Sequence, residues 1–437
     1  MLMATEFVSP PPVNAPLARI RRCASWISWL SKSTLSVMDQ GLVSGSNFLL
    51  NVMLARWLSP EQYGAYALGF SIFLLMTAVY QSLVLEPMAV LGPILFPDRL
   101  KCYLGALLRG QSMVVFVLVG ILAGAAIVIG PLYGKATLGD ALAGLALAAP
   151  AILLFWLVRG ACYLRASLVI AVQGAALYSG LLLGGIALVH HLRTLNGFMA
   201  FLIMGAASAV VSAHLLRMLA PEWRTKGNPG PWEVACEHWR FGRWELARTG
   251  LDWAGENISY ALTAAFLGMR EVGELKAIIT LFLPLSHVLT ALRRLILPHL
   301  SSVSRGQGDF RTSVNRVHLL AFALGTTNYL VLLLFGDTVF RLVYGGKFME
   351  VAWLLPWAAI AQVIATPING FDMGLRALRS PAMVFTTSAA GATAATGLYI
   401  IGTRLYGLPG TIAASIGAGA IYTTITAFFY YRRIGRS

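Results

Sequence analysis

The chain has 437 residues, of which 57% are hydrophobic and only 12% are charged. A soluble protein exposes charge at about a quarter of its residues, so this composition excludes a water-soluble globular protein. The net charge of +15 would suit a nucleic-acid binder only if the basic residues gathered on one face or in one tail. They are instead spread between apolar runs of about 20 residues, the length that crosses a bilayer. We therefore predict an all-α membrane protein that does not bind nucleic acid.

Residues 1–32 are predicted to form a cytoplasmic N-terminal tail. Its first part, Met1–Pro16, is rich in proline and is expected to be disordered. The following stretch, Ile20–Leu30, combines tryptophans with adjacent arginines, which is typical of an amphipathic helix on a membrane surface. No small-residue cleavage site follows it, so the pattern argues against a cleavable signal peptide.

Apolar runs separated by charges and turn residues predict twelve transmembrane helices. In chain order the predicted spans are Leu35–Ala55, Tyr66–Leu91, Leu104–Leu132, Ala141–Val158, Ser167–Val189, Gly197–Leu219, Leu246–Leu267, Leu275–Leu297, Val317–Phe335, Val351–Ile368, Met383–Ile401 and Gly407–Phe429. The single long hydrophilic break suggests an N-lobe at 33–219, a cytoplasmic inter-lobe loop at 220–244 and a C-lobe at 245–437.

The distribution of basic residues predicts the orientation. With the N-terminus inside, about three basic residues fall on the inner side for each one on the outer side, as expected for cytoplasmic loops. Lys276 belongs to the small outer set. All four cysteines, Cys23, Cys102, Cys162 and Cys236, fall inside, where a reducing cytoplasm keeps thiols free. We predict a multi-pass protein of the cytoplasmic (inner) membrane with both termini in the cytoplasm.

The two halves carry a matching pattern. The intervals between Gly41, Leu58 and Gly64 in the first half recur between Gly250, Leu267 and Gly273 in the second. Together with six spans on each side of the hydrophilic break, this pattern favours a parallel duplication about an axis along the membrane normal. The predicted fold is therefore two six-helix lobes around a central cavity.

Polar groups inside two of the spans are the candidate functional residues, because polar and charged side chains are costly in a bilayer. Span one has one helical stripe of Gln40, Ser44, Asn47 and Asn51, and span seven has Glu245, Arg248, Asp252 and Glu256. The Asn47 and Asn51 amides would serve equally well as hydrogen bonds between helices. Arg248 can neutralise one of the carboxylates Asp252 and Glu256 but not both, which favours a water-facing proton or cation site.

Other patterns are less specific. Arg293 and Arg294 in span eight would suit an anionic head group, although snorkelling to the cytoplasmic interface is the more common behaviour of such residues. The adjacent His190 and His191 are more typical of a polar helix end than of a metal site. No nucleotide, cofactor or metal motif occurs, so we predict no cofactor, no metal and no catalytic residue. Energy is then expected to come from an ion gradient or from the substrate's own gradient.

Three segments resemble the polysaccharide and O-antigen type of lipid-linked oligosaccharide flippases, within the multidrug/oligosaccharidyl-lipid/polysaccharide exporter superfamily. They are the turn after span one, Ala55–Ala67; the loop before span ten, Val343–Phe348 with Ala352 and Leu355; and the region Asn369–Gly370 through Gly374–Arg376. The resemblance implies two lobes, alternating access, and a polyprenyl-pyrophosphate-linked glycan as substrate, with Arg248, Arg293 or Arg294 as groups for the pyrophosphate. It also implies membrane lipids and a polysaccharide polymerase or export machinery as partners.

Two other functions remain open at this point. The acidic groups of span seven would suit a cation-coupled multidrug antiporter of the same superfamily, since a flippase cavity for an anionic lipid is expected to be cationic. A polyprenol-dependent glycan ligase or transferase is the third hypothesis. It is disfavoured because every predicted outer loop is short, whereas such an enzyme needs a larger loop for its catalytic groups.

Overall fold

The computed structural model describes residues 15–96, 99–133, 136–165, 167–221, 230–304, 309–378 and 380–435, and all regular structure in these ranges is helical. The first half contains α1 (Ala15–Trp57), α2 (Pro60–Tyr80), α3 (Glu86–Leu95), α4 (Leu100–Tyr133), α5 (Ala136–Leu164), α6 (Leu168–His191) and α7 (Gly197–Leu219). A π-helical turn, Gln81–Leu85, joins α2 to α3, so these two helices make one span.

The second half contains α8 (Pro231–Phe266), α9 (Met269–Thr280), α10 (Leu283–Ser302), α11 (Phe310–Tyr344), α12 (Leu355–Ala365), α13 (Ile368–Ala377) and α14 (Pro381–Ile434). A 3₁₀ segment, Met349–Leu354, leads into α12 and α13. Helices α9 and α10 meet at a 49° bend. The proline at the start of α10 suits this position, because proline has no N–H to donate to the preceding turn.

These helices account for twelve membrane crossings in the described chain. Eight helices are long and apolar enough to cross a membrane, and the bent pair α9–α10 raises the number to nine. Helix α14 adds a tenth, because Gly407 has a left-handed φ of 64° and the chain folds back there. The Thr403 and Thr411 hydroxyls, 2.9 Å apart, join the two arms. The remaining two crossings are α1 and α8, which are too polar to be recognised as membrane spans from their apolar content alone.

Each of these two polar helices packs within its own lobe. Helix α1 lies along α6, and α8 lies along the first arm of α14. Close contacts between small residues hold the first lobe together: a Cβ on Gly144 would come within 2.6 Å of the Phe198 carbonyl oxygen, and one on Gly205 within 2.8 Å of Ala148. Such close backbone approach is the usual way in which membrane helices associate.

The two lobes meet in a reciprocal contact, which we call the seam. A Cβ on Gly64 of α2 would overlap the Met269 carbonyl oxygen of α9, and a Cβ on Gly273 of α9 would overlap the Pro60 carbonyl oxygen of α2. Pro60 and Met269 are separated by the same number of residues as Gly64 and Gly273. The seam therefore lies on a pseudo-two-fold axis, in agreement with a parallel duplication.

A loop of the second lobe also binds the first at this end of the bundle. The Lys347 ammonium donates a hydrogen bond of 2.8 Å to the Leu58 carbonyl oxygen, just beyond the last residue of α1. A cation is favourable there because the helix dipole leaves partial negative charge at a C-terminus. Burial lowers the pKa of Lys347. We call this end of the bundle the seam end and the opposite one, where α1 and α8 begin, the basic end.

The predicted segment boundaries differ from the structure in two places. Helix α1 continues without a break through the region predicted as a separate surface helix, and residues 1–14 lie outside the described chain. The inter-lobe connection is shorter than the predicted 220–244, because α8 begins at Pro231. Its first turns are held on the first lobe by buried His238, which shares a 2.7 Å hydrogen bond with the Tyr103 hydroxyl.

Replacing Gly64 by alanine is expected to open the seam. The new methyl group meets backbone atoms that cannot rotate away, and overpacking of this kind costs about 1–3 kcal/mol. A cysteine introduced at the buried Val272 should then react faster with a water-soluble maleimide in the purified protein. Gly41→Ala is the matched control, because nothing lies within 4 Å of that position; equal labelling in both variants would show that the seam tolerates the methyl group.

Candidate functional site

Helix α8 lies against the first lobe along α2, and this contact positions the acidic face of α8. The Trp253 indole donates a 2.9 Å hydrogen bond to the Ser71 carbonyl oxygen, and the Ser71 hydroxyl donates to the Asn257 amide oxygen at 3.4 Å. Nearer the basic end, the Ser82 and Thr249 hydroxyls are 2.9 Å apart. The residues between these contacts on the helix, Asp252 and Glu256, therefore lie beside the boundary between the lobes.

Glu256 is the acidic group of the mid-helix part of α8 that has no fixed protein partner in the described chain. Its side chain is exposed, and within the described chain it makes no hydrogen bond and no ion pair. The charges of Asp252 and Arg293 are close enough to act on it. Asp252 is half-buried and engaged in interactions with other residues. A membrane-embedded carboxylate that water can reach and that has no protein partner is suited to bind a proton or a cation.

Arg293 belongs to a charged cluster between α10 and α13. Its guanidinium lies 3.7 Å from the Asp372 carboxylate and donates a 3.2 Å hydrogen bond to the Asn369 side-chain oxygen. Arg376 also binds Asp372, at 2.8 Å. Arg293 remains 40% exposed, so it has protein partners on one side and accessible space on the other. The side chains of Arg248 and Arg294 lie outside the described part.

The predicted stripe of α1 divides into two parts. Gln40 is exposed; it donates to the Ser44 hydroxyl at 3.1 Å and accepts from Arg159 at 3.3 Å. Deeper in the helix, the Asn51 amide donates to the Asn47 carbonyl oxygen of the same helix at 2.7 Å. The side-chain oxygens of Asn47 and Asn51 are buried without a partner among the described atoms. The interhelical hydrogen bonds considered for these amides are therefore not formed.

The first lobe contains an ion pair that was not predicted from the sequence. Asp39 of α1 is fully buried and accepts two hydrogen bonds, of 3.1 and 3.0 Å, from the Arg159 Nε of α5. A second Arg159 nitrogen lies 2.5 Å from Asp39, and the Tyr163 hydroxyl donates to the same carboxylate. The signal available in the sequence was Asp39 itself, an acidic residue next to Gln40 in a predicted span, which needs a partner when buried. Its partner was not identifiable, because nothing in the sequence places α5 beside α1.

Removing one partner of this pair is expected to destabilise the first lobe. Arg159→Met would leave the Asp39 carboxylate buried without a counter-charge, which costs about 3–5 kcal/mol for buried pairs. Thermal unfolding in detergent should show a clear drop in the transition temperature. Arg240→Met is the matched control, since that arginine is 75% exposed and pairs with Glu237 at the surface, where an ion pair contributes at most about 1 kcal/mol. Equal shifts in the two variants would contradict the assignment.

Comparison with protein families identifies the chain. A family model described as polysaccharide biosynthesis protein matches residues 53–353, more than half of the sequence. The chain belongs to this family. The matched region includes the seam, the polar helix α8 and Arg293 of this family member. It takes in only the last residues of α1 and ends before the α13 residues of the charged cluster. No curated protein matches the chain by sequence.

Solved structures show the same fold at low sequence identity. The lipid II flippase MurJ, in an inward closed conformation, is 12% identical with a TM-score of 0.71 and covers 92% of this chain and 87% of its own. An inward-facing multidrug resistance MATE family transporter of the MOP superfamily is 14% identical with a TM-score of 0.74, covering 91% and 95%. A MOP superfamily transporter from Pyrococcus furiosus is 14% identical with a TM-score of 0.64, covering 92% and 96%. The predicted fold of twelve helices in two lobes is confirmed.

Proposed function

We propose that this polysaccharide biosynthesis protein is a flippase that moves a polyprenyl-pyrophosphate-linked oligosaccharide across the cytoplasmic membrane by alternating access. The observation that carries the proposal is the pairing of a seam closed at one end with exposed charged groups toward the other, namely Glu256 beside the boundary between the lobes and Arg293 on α10 of the second lobe. A closed end and an accessible interior are what one state of an alternating transporter requires. The resemblance to flippases and the family match supply the substrate class.

The seam is suited to open and close repeatedly. Its contacts are between the two glycines and uncharged backbone groups of the other lobe, which separate without leaving a buried charge unpaired. The hydrogen bond from Lys347 to the Leu58 carbonyl oxygen is a single interaction between neutral and charged groups at the rim, where water replaces it easily. Rocking of one lobe against the other about the binding site is a common transport movement in proteins built from repeats.

Glu256 is the proposed coupling residue, with Asp252 beside it. Because Glu256 has no fixed partner in the described chain, a proton or cation that enters the interior can bind it and leave again. Asn47 and Asn51 on the other polar helix remain candidates for contact with hydroxyl groups of the glycan. Their amide oxygens are buried here without a partner among the described atoms, so such contact belongs to another state of the transport cycle. Gln40 of α1, Arg248 of α8 and Arg294 of α10 remain candidates for the side of the basic end, where the substrate is proposed to enter.

We infer the orientation from the charges of the loops. The basic end is assigned to the cytoplasm, because basic residues accumulate in cytoplasmic loops; the seam end then faces outward and both termini lie inside. A polysaccharide polymerase or export machinery is the expected partner on the outer side. The protein is proposed to act as a transporter and not as an enzyme, without a cofactor or a metal. Within the described chain, no group of three or more His, Cys, Asp or Glu side chains is arranged to hold a metal ion.

A cation-coupled multidrug antiporter is the second candidate. The carboxylates Asp252 and Glu256 favour it, and one of the similar folds is a multidrug resistance transporter. The two hypotheses differ in the charge of the cargo. Purified protein in liposomes should move a fluorescent lipid-linked oligosaccharide between leaflets if the flippase proposal is correct. Transport of cationic dyes without movement of the glycolipid would favour the antiporter. A glycan ligase or transferase would instead form product without transport.

Glu256→Gln is expected to abolish transport while the protein still inserts and folds, because the amide keeps the size of the side chain and cannot take up a proton or cation. Asp252→Asn should have a similar effect. The rate of glycolipid movement is measured in liposomes at matched protein content, and we expect it to fall at least tenfold in each variant. Glu237→Gln, at an exposed position of the same helix, is the control and should transport normally. Full glycolipid movement by Glu256→Gln would remove this residue from the site.

A further inference from the structure

Lys276 is buried inside the protein, although the distribution of basic residues predicted that it lies on the outer side. It belongs to α9, only 6% of it is exposed, and it lies three residues beyond Gly273 of the seam. The position follows from the short length of α9, whose start at Met269 brings Lys276 two turns into the bundle. An ammonium group at this depth has lost nearly all of its hydration.

Among the residues that the structure describes, no anion compensates this charge. Within the described chain Lys276 makes no hydrogen bond or ion pair, and no charged side chain acts on it. The carboxylate nearest in sequence, Glu274, is bound by Arg270 at 3.2 Å. Glu256 is not its partner either, because the charged groups that act on Glu256 are Asp252 and Arg293. A buried cation without a counter-charge is strongly unfavourable, so this position calls for an explanation.

Two aromatic rings are the contacts of the ammonium. It lies 5.0 Å from the centroid of Phe70 in the first lobe and 5.7 Å from that of Tyr260 in the second. Cation–π contacts of this kind recover only part of the lost hydration. One turn further along α9, the Thr280 hydroxyl is buried beside that of Tyr63, and neither has a hydrogen-bond partner of good geometry.

We propose that Lys276 is the docking point for the phosphate groups of the cargo, at the seam end of the cavity between the lobes. This inference rests on the proposed flippase function and names the group that would receive the diphosphate. An ammonium group, with the Thr280 hydroxyl one turn further along the same helix, is the chemistry that binds phosphate oxygens. Arg293, the described basic group predicted for this role, already binds Asp372 and Asn369, whereas Lys276 has no acidic partner in the described chain.

The position of Phe70 links this docking to the opening of the seam. Phe70 and Lys276 are in different lobes, on the two helices that carry Gly64 and Gly273. When phosphate oxygens take the place of the Phe70 ring, the attraction between α2 and α9 at this point is lost. Binding of the cargo therefore weakens the contact that keeps the seam end closed. An uncharged lipid alcohol has no such effect.

The first test measures binding of geranylgeranyl diphosphate to the full-length protein in nanodiscs, by quenching of tryptophan fluorescence. Lys276→Met is expected to weaken binding at least tenfold, and Lys276→Arg to retain most of the binding because a guanidinium also binds phosphate oxygens. Lys101→Met, at an exposed position, should bind normally. Unchanged binding by Lys276→Met would overturn the proposal.

Two further probes identify the source of the phosphate. Geranylgeraniol should bind wild type and Lys276→Met equally weakly, since it has no charge. Inorganic pyrophosphate should bind much more weakly than the lipid. If it binds as tightly, the site takes soluble phosphates and the lipid assignment is wrong. If the wild type moves the glycolipid and Lys276→Met still binds the diphosphate normally, only the role of Lys276 is rejected. If the wild type neither binds the diphosphate nor moves the glycolipid, the flippase function is rejected as well.

Thermal unfolding gives a readout that is independent of ligand. Lys276→Met is expected to raise the transition temperature, because it replaces a buried unpaired charge by an apolar side chain of similar length. Residues at functional sites often reduce stability in this way. A lower transition temperature in Lys276→Met than in Lys101→Met would indicate a structural partner for the ammonium and would overturn the proposal.

Discussion

The arrangement of the whole protein depends on the close approach of α2 and α9 at Gly64 and Gly273. At this point two backbones meet so closely that no side chain fits between them, and the contact is the same from either lobe. A symmetric contact fixes the axis that relates the halves, and with it the relative positions of α1 and α8. The polar faces of both helices, and Lys276 beside the seam, take their places from this one contact.

The cost of polar groups in a bilayer explains why these two helices differ from the other ten. An apolar helix can face lipid on any side, whereas α1 and α8 must direct their polar faces toward protein or water. The first lobe meets this requirement for Asp39 with an internal pair to Arg159. The second lobe leaves Glu256 accessible and without a partner in the described chain. The two related helices therefore treat their acidic groups differently: α1 pairs Asp39 inside its lobe, and α8 leaves Glu256 without a fixed partner in the described chain.

Local patterns in the sequence predict the helices, but they do not predict which side chains meet. Apolar length and alternating loop charge were sufficient for twelve spans, including α1 and α8. The Asp39–Arg159 pair depends on the neighbour of α1, and the burial of Lys276 depends on where α9 begins and bends; neither is a local property. The start of α8 was predicted as loop because it is hydrophilic, yet contacts such as His238 with Tyr103 stabilise a helix there.

The contacts of α2 with the second lobe run from the seam at Gly64, through Ser71, to Ser82. A translation that separated the lobes would have to break all of them at once. A rotation about a line close to α2 breaks fewest, and it widens the gap on the far side of the molecule, next to α1 and α10. In the proposed flippase, a bulky sugar carried on a long lipid would then enter from that side, with its hydrocarbon tail remaining in the surrounding bilayer.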